Sequence, residues 1–134
     1  IIFNNTHIMI TNLQVYPINS KEFLDLVIQA GNADGRHPLY PTHAIIKDEE
    51  IVGAFCTFSP TVYWWMHSTK ITNRDSVTIF QSLDTLMNQE NHDSYVIPCH
   101  PTSSYYKTLT SRIGDGLQEY KGDGDDDWTL FIRK

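Results

Sequence analysis

The sequence has little that would staple, anchor or positively charge it. Cys56 and Cys99 are its two cysteines, and both lie in apolar runs, where a free thiol packs as a small buried hydrophobe. Two are too few for the disulfide framework of a secreted domain, so a reducing, cytoplasmic setting is expected. No apolar run approaches the roughly 20 residues that cross a bilayer. Ile1 to Ile8 lacks the basic start and long apolar stretch of a signal peptide. Positive charge is scarce: 10 Lys and Arg face 16 Asp and Glu, a formal net charge of −6. Nucleic acids and anionic membranes are bound through clustered cations, so neither is an expected partner. A basic protein or substrate fits this balance, and so does solubility alone; the partner expected is a protein or, independently of charge, a second copy of the chain. Metal-ligand spacing is also missing. Cys99 and His100 are adjacent and would point to opposite faces of a strand, and no other pair has zinc-ligand spacing. Asp123 to Asp127 is acidic, but the places where a calcium loop needs Gly and Glu hold Trp128 and Lys134. No metal is expected.

What is present suits one globular domain. The chain has 134 residues, 40% of them hydrophobic, with 7 Tyr, 6 Phe and 3 Trp, enough for a core without disulfides. Met9 precedes the first convincing strand, so residues 1–8 are expected to be an extension or a fragment end and residues 9–134 a single domain. Ile10–Ile18 reads as a strand. Asn19 and Glu22 have capping-box spacing ahead of a helix over Ser20–Ala30, which Gly31 can stop. A loop over Asn32–Pro41 leads to a hairpin of Thr42–Lys47 and Ile51–Phe58, turning at Asp48 to Glu50. Val62–His67 is a short strand, and its neighbours Trp64 and Trp65 face opposite sides. Asn73 or Asp75 can cap an amphipathic helix carrying Ile79, Phe80, Leu83, Leu86 and Met87 on one stripe. Tyr95–Cys99 is apolar enough for a buried strand. Pro101 can open a helix with Tyr105, Tyr106, Leu109 and Ile113 on one face and Gly114 as its stop. Leu117–Tyr120 and Trp128–Ile132 close the chain as a hairpin. The expected fold class is α/β, a mixed sheet in the order β-α-β-β-β-α-β-α-β-β, with local parallel pairing across the central helix.

That order resembles the GNAT superfamily of N-acetyltransferases over nearly all of Met9–Lys134. The tryptophan-bearing strand, polar loop, amphipathic helix and closing Gly/Asp hairpin are also similar to the GNAT-like internal virion proteins of short-tailed phages. The resemblance implies a splayed pair, Val62–His67 and Tyr95–Cys99, with acetyl-CoA in the V between them. Its implied contacts are Met66, Ser68, Lys70, Arg74 and Ser76. The family's phosphate loop is Gln/Arg-x-x-Gly-x-Gly/Ala, in which glycines let the backbone approach the pyrophosphate. Here Ser68 to Ser76 contains no glycine, and Asp75 brings negative charge to the helix start. The family's proton-donating tyrosine in Tyr-x-x-x-Gly-Phe falls on Thr110, a poor acid, with Tyr105 and Tyr106 one turn earlier as possible substitutes. An amine acceptor would need a general base; His67 and His100, at the ends of the splayed strands, are the candidates. The missing glycines and tyrosine point to a degenerate homologue with a binding or structural role, such as a phage virion component. An active enzyme transferring acetyl from acetyl-CoA to an amine is the alternative.

Overall fold

In a computed structural model, residues 12–36, 40–111, 116–121 and 128–133 are described. The elements are β1 (Leu13–Pro17), α1 (Lys21–Ala33), β2 (His43–Lys47), β3 (Glu50–Cys56), β4 (Tyr63–Met66), α2 (Asn73–Gln89), β5 (Tyr95–Cys99), α3 (Tyr106–Thr110), β6 (Leu117–Lys121) and β7 (Thr129–Arg133). Their order is the one the sequence predicts. The expected hairpin tip at 122–127, the helix stop at Gly114 and residues 1–8 lie outside the described residues.

The single mixed sheet is corrected to two antiparallel sheets. One runs β1-β2-β3-β4 and the other β5-β7-β6. Among the described residues, parallel pairing survives only as a bridge between Thr61 and Val96. There the Val62 N–H donates to the Val96 carbonyl at 2.9 Å, and the Val96 N–H to the Pro60 carbonyl at 2.7 Å. Beyond the bridge, β4 pairs with β3 and β5 with β7. The strands around the central helix therefore start side by side and diverge.

Local chemistry accounts for the shifted boundaries. Ser20, not Asn19, caps α1: its Oγ accepts the Phe23 N–H at 3.1 Å. The helix also runs through Gly31 to Ala33. Val27 and Gly31, four residues apart and so on one face, are its two buried positions. Thr72 caps α2 in a full capping box with Asp75, which replaces the expected caps at Asn73 or Asp75. The helix expected from Pro101 is reduced to five residues. Ahead of it, His100 Nδ1 accepts the Thr102 N–H and Ser103 Oγ accepts the Tyr105 N–H, side-chain bonds that compete with helix formation.

The four-stranded sheet is covered on both faces. Ile79, Phe80, Leu83 and Met87 of α2 join Ile45, Phe55 and Met66 in the main core, with Ile97 and Phe131 from the second sheet. Val27 of α1 packs with Ala44, Ala54 and Trp65 on the other face. Trp64 and Trp65 thus point to opposite sides, and each is packed against a core. The β2–β3 turn has Asp48 and Glu49 at φ of 50° and 69°, the left-handed pair that a two-residue hairpin of this hand requires.

Register shifts between Ile45 and Ile46, leaving Val52 as an extra residue on β3. This bulge lets the Val52 carbonyl accept the His67 N–H at 2.7 Å, which fixes the end of β4. Gly53 follows, where a Cβ would lie 2.6 Å from the Trp65 carbonyl oxygen and 2.7 Å from Ile45 Cδ1. Backbone cannot move aside as a flexible side chain would. Gly53→Ala should therefore destabilise the fold by about 1–3 kcal/mol, the usual penalty for overpacking, read as a lower urea midpoint with unchanged slope.

Candidate functional site

The V between β4 and β5 begins at the bridge, and the next side chain along β4 fills it. Trp64 donates its indole N–H to the Pro98 carbonyl at 2.8 Å, crossing from one strand to the other. Its ring meets Phe80 and Tyr105 edge-to-face, each at 5.8 Å between centroids. Outside this plug, Val62, Tyr63, Trp64, Pro98 and Trp128 line an open apolar cleft of about 280 Å³.

At the far end of β4, the structure brings His67 and Tyr105 together with an acid that the sequence did not single out. The Tyr105 hydroxyl donates to the His67 carbonyl at 2.7 Å, and burial pushes its pKa up. The Thr69 N–H donates to His67 Nδ1 at 3.2 Å. That leaves Nε2 as the proton-bearing nitrogen of the neutral ring, and it faces Asp34 Oδ1 at 3.6 Å. Asp34 also accepts the Trp65 indole N–H at 3.0 Å, the Ser68 N–H at 3.1 Å and the Ser68 hydroxyl at 2.7 Å. Burial works against its charge, but the hydrogen bonds from Ser68 and Trp65 outweigh it and hold the carboxyl below its ordinary value. Asp34 thereby ties the end of α1 to the end of β4. Nothing in its local sequence, Asn32-Ala33-Asp34-Gly35, announces that role.

The remaining candidates lie apart. His100 accepts from or donates to the Thr102 hydroxyl at 2.7 Å and stacks edge-on against Trp128 at 5.4 Å. The Tyr106 hydroxyl donates to Glu119 on β6, and its ring packs against Phe131. Thr110 donates to the Lys107 carbonyl at 2.9 Å. Met66 is 1% exposed and belongs to the core. Lys70 pairs with Glu50 at 2.8 Å on the surface, and Arg74 is exposed. Ser76 is buried, donating to the Asn73 carbonyl at 2.7 Å and sharing a 3.1 Å hydrogen bond with Thr108.

Asp75 holds the start of α2. Its carboxylate accepts the Thr72 N–H at 3.0 Å and the Lys47 ammonium at 2.6 Å. Lys47 reaches further, to the Lys70 carbonyl at 2.9 Å. Burial opposes ionisation of Asp75, but the hydrogen bonds from Lys47 and Thr72 outweigh it and lower its pKa. The sequence places negative charge at this helix start; the counterion from β2 becomes visible only in the fold.

No family model matches the sequence, and no curated protein matches it. Solved structures do match the fold. An N-acetyltransferase from Staphylococcus aureus Mu50 superposes with a TM-score of 0.59 at 12% identity, over 90% of this chain and 97% of that one. An acetyltransferase from Streptococcus agalactiae 2603 gives 0.54 at 9%, over 90% and 97%. The PaiA N-acetyltransferase from Thermoplasma acidophilum, solved in complex with coenzyme A, gives 0.50 at 14%, over 86% and 71%. At these identities the likeness establishes architecture alone: the chain has the fold of these acetyltransferases.

The lowered pKa of Asp75 sets a pH dependence. A carboxyl whose folded pKa lies below its unfolded value contributes stability that is complete above the unfolded pKa and is lost as pH falls through the folded one. Asp75→Asn should cost about 1.5–3 kcal/mol at pH 7, the range for hydrogen bonds to charged groups. The gap between variant and parent should shrink as pH drops below the ordinary carboxylate value. Urea midpoints of both proteins across pH 7 to 3 check this.

Proposed function

We propose that the chain is a degenerate homologue of the acyl-CoA N-acyltransferases, whose cleft is filled by its own side chains and which serves as a protein-binding or structural domain. A component of a short-tailed phage virion is the setting this reading favours. The observation that carries it is Trp64, which spans the V and takes up the Pro98 carbonyl, where an acyl-CoA thioester would have to lie. The start of α2 adds support. Its Thr72 and Asp75 amides are engaged by the capping box, and no glycine opens the backbone between Ser68 and Ser76. Without those features a pyrophosphate loses both its donors and its close approach. Thr110 supplies no acid for a departing thiolate, and the Tyr105 hydroxyl is already committed to the His67 carbonyl.

One observation favours the second reading, an active N-acetyltransferase using acetyl-CoA and an amine. His67 and Tyr105 do meet at one end of the V, with Asp34 behind the imidazole. In that reading His67 would take the proton from the amine at Nδ1, once the Thr69 N–H had released that nitrogen, and Tyr105 would face the leaving sulfur. Coenzyme A in the related PaiA structure makes the cofactor reasonable for the fold.

Thermal unfolding with and without acetyl-CoA separates the two. A ligand at a hundredfold its Kd stabilises by about 2.7 kcal/mol, which is several degrees for a domain of this size. The expected result is no shift up to millimolar acetyl-CoA and no release of free thiol with amine acceptors. A saturable shift, or turnover lost in His67→Ala, would overturn the degenerate reading.

A further inference from the structure

The second sheet turns its two faces to different surroundings. Tyr95, Ile97, Cys99, Leu117 and Phe131 point into the main core with α2. The residues between them point the other way, and the register aligns them in two rows: Val96, Ile132 and Gln118, then Pro98, Leu130 and Tyr120. Among the described residues, none of these six belongs to either core cluster, and α1 packs on the first sheet, at Ala44, Ala54 and Trp65. Tyr63 and Trp128 continue the open face across the mouth of the cleft. An antiparallel sheet with one open face ordinarily turns its polar residues outward. Here charge runs the other way. The charged residues of these three strands are Glu119, Lys121 and Arg133, and all three lie on the side of the helices. Glu119 accepts the Tyr106 hydroxyl of α3, the Lys121 ammonium lies 5.9 Å from the centre of the Tyr106 ring, and Arg133 meets Asp84 of α2 at 3.5 Å. The rows of the open face carry no charge.

The occupant follows from that absence of charge and from area. Transient interfaces are about as polar as the rest of a protein surface, whereas homodimer interfaces are more apolar, with charge depleted at their core. Two copies that each carry −6 repel at long range, so they join most readily where neither has a charge to desolvate. Tyr63, Tyr120 and Trp128 are 42%, 62% and 56% exposed. At roughly 150–250 Å² for a whole aromatic side chain, these three rings alone offer about 300 Å². That is over a third of the roughly 800 Å² that a standard interface takes from each partner, and the aliphatic rows and Gln118 add to it. We infer that this face is the contact between two copies of the chain, packed sheet against sheet about a two-fold axis in a reversible dimer. The inference holds whether or not acetyl-CoA binds.

Sedimentation velocity of the full chain, from about 1 to about 500 µM, tests it. The average mass should rise from one chain toward two, with a micromolar Kd. Added salt should leave the dimer intact or tighten it, because no ion pair lies in the contact and screening relieves the repulsion. Tyr120→Asp and Trp128→Asp, both at exposed positions, should each weaken the dimer by at least about tenfold, since a two-fold axis brings every substitution into the interface twice. Tyr120→Phe should retain most of the affinity. Leu26→Asp, at an exposed position on α1, should leave it unchanged. Urea midpoints report whether each variant folds, and Gln118→Lys repeats the test at a third exposed position if an aspartate variant does not. A chain that stays monomeric throughout would overturn the inference and leave the face to a different protein. A dimer that the folded variants of this face leave intact, that Leu26→Asp weakens equally, or that salt dissociates would overturn it too.

Discussion

Among the described residues, the two sheets meet backbone to backbone at one place, the bridge between Thr61 and Val96. Every other feature of the central region depends on how the chain handles the gap that opens beyond it. In an extended strand, residues two apart point their N–H and C=O groups to the same side. Val96 turns both groups toward the segment leading into β4, so residue 98 does the same two positions further on, where that segment has moved away. An ordinary residue there would leave a donor and an acceptor facing the gap, and unpaired buried backbone groups are costly. Residue 98 is proline, which has no N–H to lose, and its carbonyl is met by the Trp64 indole. Two side-chain identities thus close a gap that the backbone leaves open.

The same economy governs the start of α2. A helix N-terminus has unpaired amides and a partial positive charge, and an anion stabilises it. That anion can arrive as a ligand or be built in. Here it is Asp75, 5% exposed, held by the capping box and neutralised by Lys47 from β2. A built-in carboxylate also ties the helix to the sheet, because Lys47 bonds both Asp75 and the Lys70 carbonyl. Exchanging this arrangement for a bound phosphate would strand the Lys47 charge and leave the carboxylate facing a second anion.

Much of the architecture was legible because periodicity and end signals agreed. The stripe Ile79, Phe80, Leu83 and Met87 lies in the core as its spacing requires, and β5 has the predicted limits Tyr95–Cys99. Its burial nevertheless alternates, with Val96 and Pro98 only half-buried; a run of apolar residues cannot say that one face of the strand is less covered than the other. Sheet membership was not legible for the same reason. A helix between two strands implies parallel direction, and β4 and β5 do start in that sense, but how far pairing persists depends on Trp64 packing against Phe80 and Tyr105. At the site, the glycine-free loop and the acid at position 75 could be read directly. Asp34 and Lys47 could not, since their partners lie 23 to 34 residues away.

Closing a cleft changes where recognition can occur. An acyl transferase must keep a gap in its sheet, with backbone groups and apolar walls held open for a ligand, and such preorganisation is commonly maintained at a cost in stability. In the degenerate reading proposed above, Trp64 and Pro98 satisfy those groups internally, and Asp75 and Lys47 do the same at the start of α2. What remains outside the plug is surface: Tyr63 and Trp128 at the mouth, with Tyr40 and Phe58 also left in water. Rings that merely stabilised the fold would gain more by being buried, at about 25 cal/mol per Å² of apolar area removed from water. If the chain is the binding domain proposed above, its contacts belong on this rim outside the Trp64 plug, where Tyr63 and Trp128 wall the open cleft.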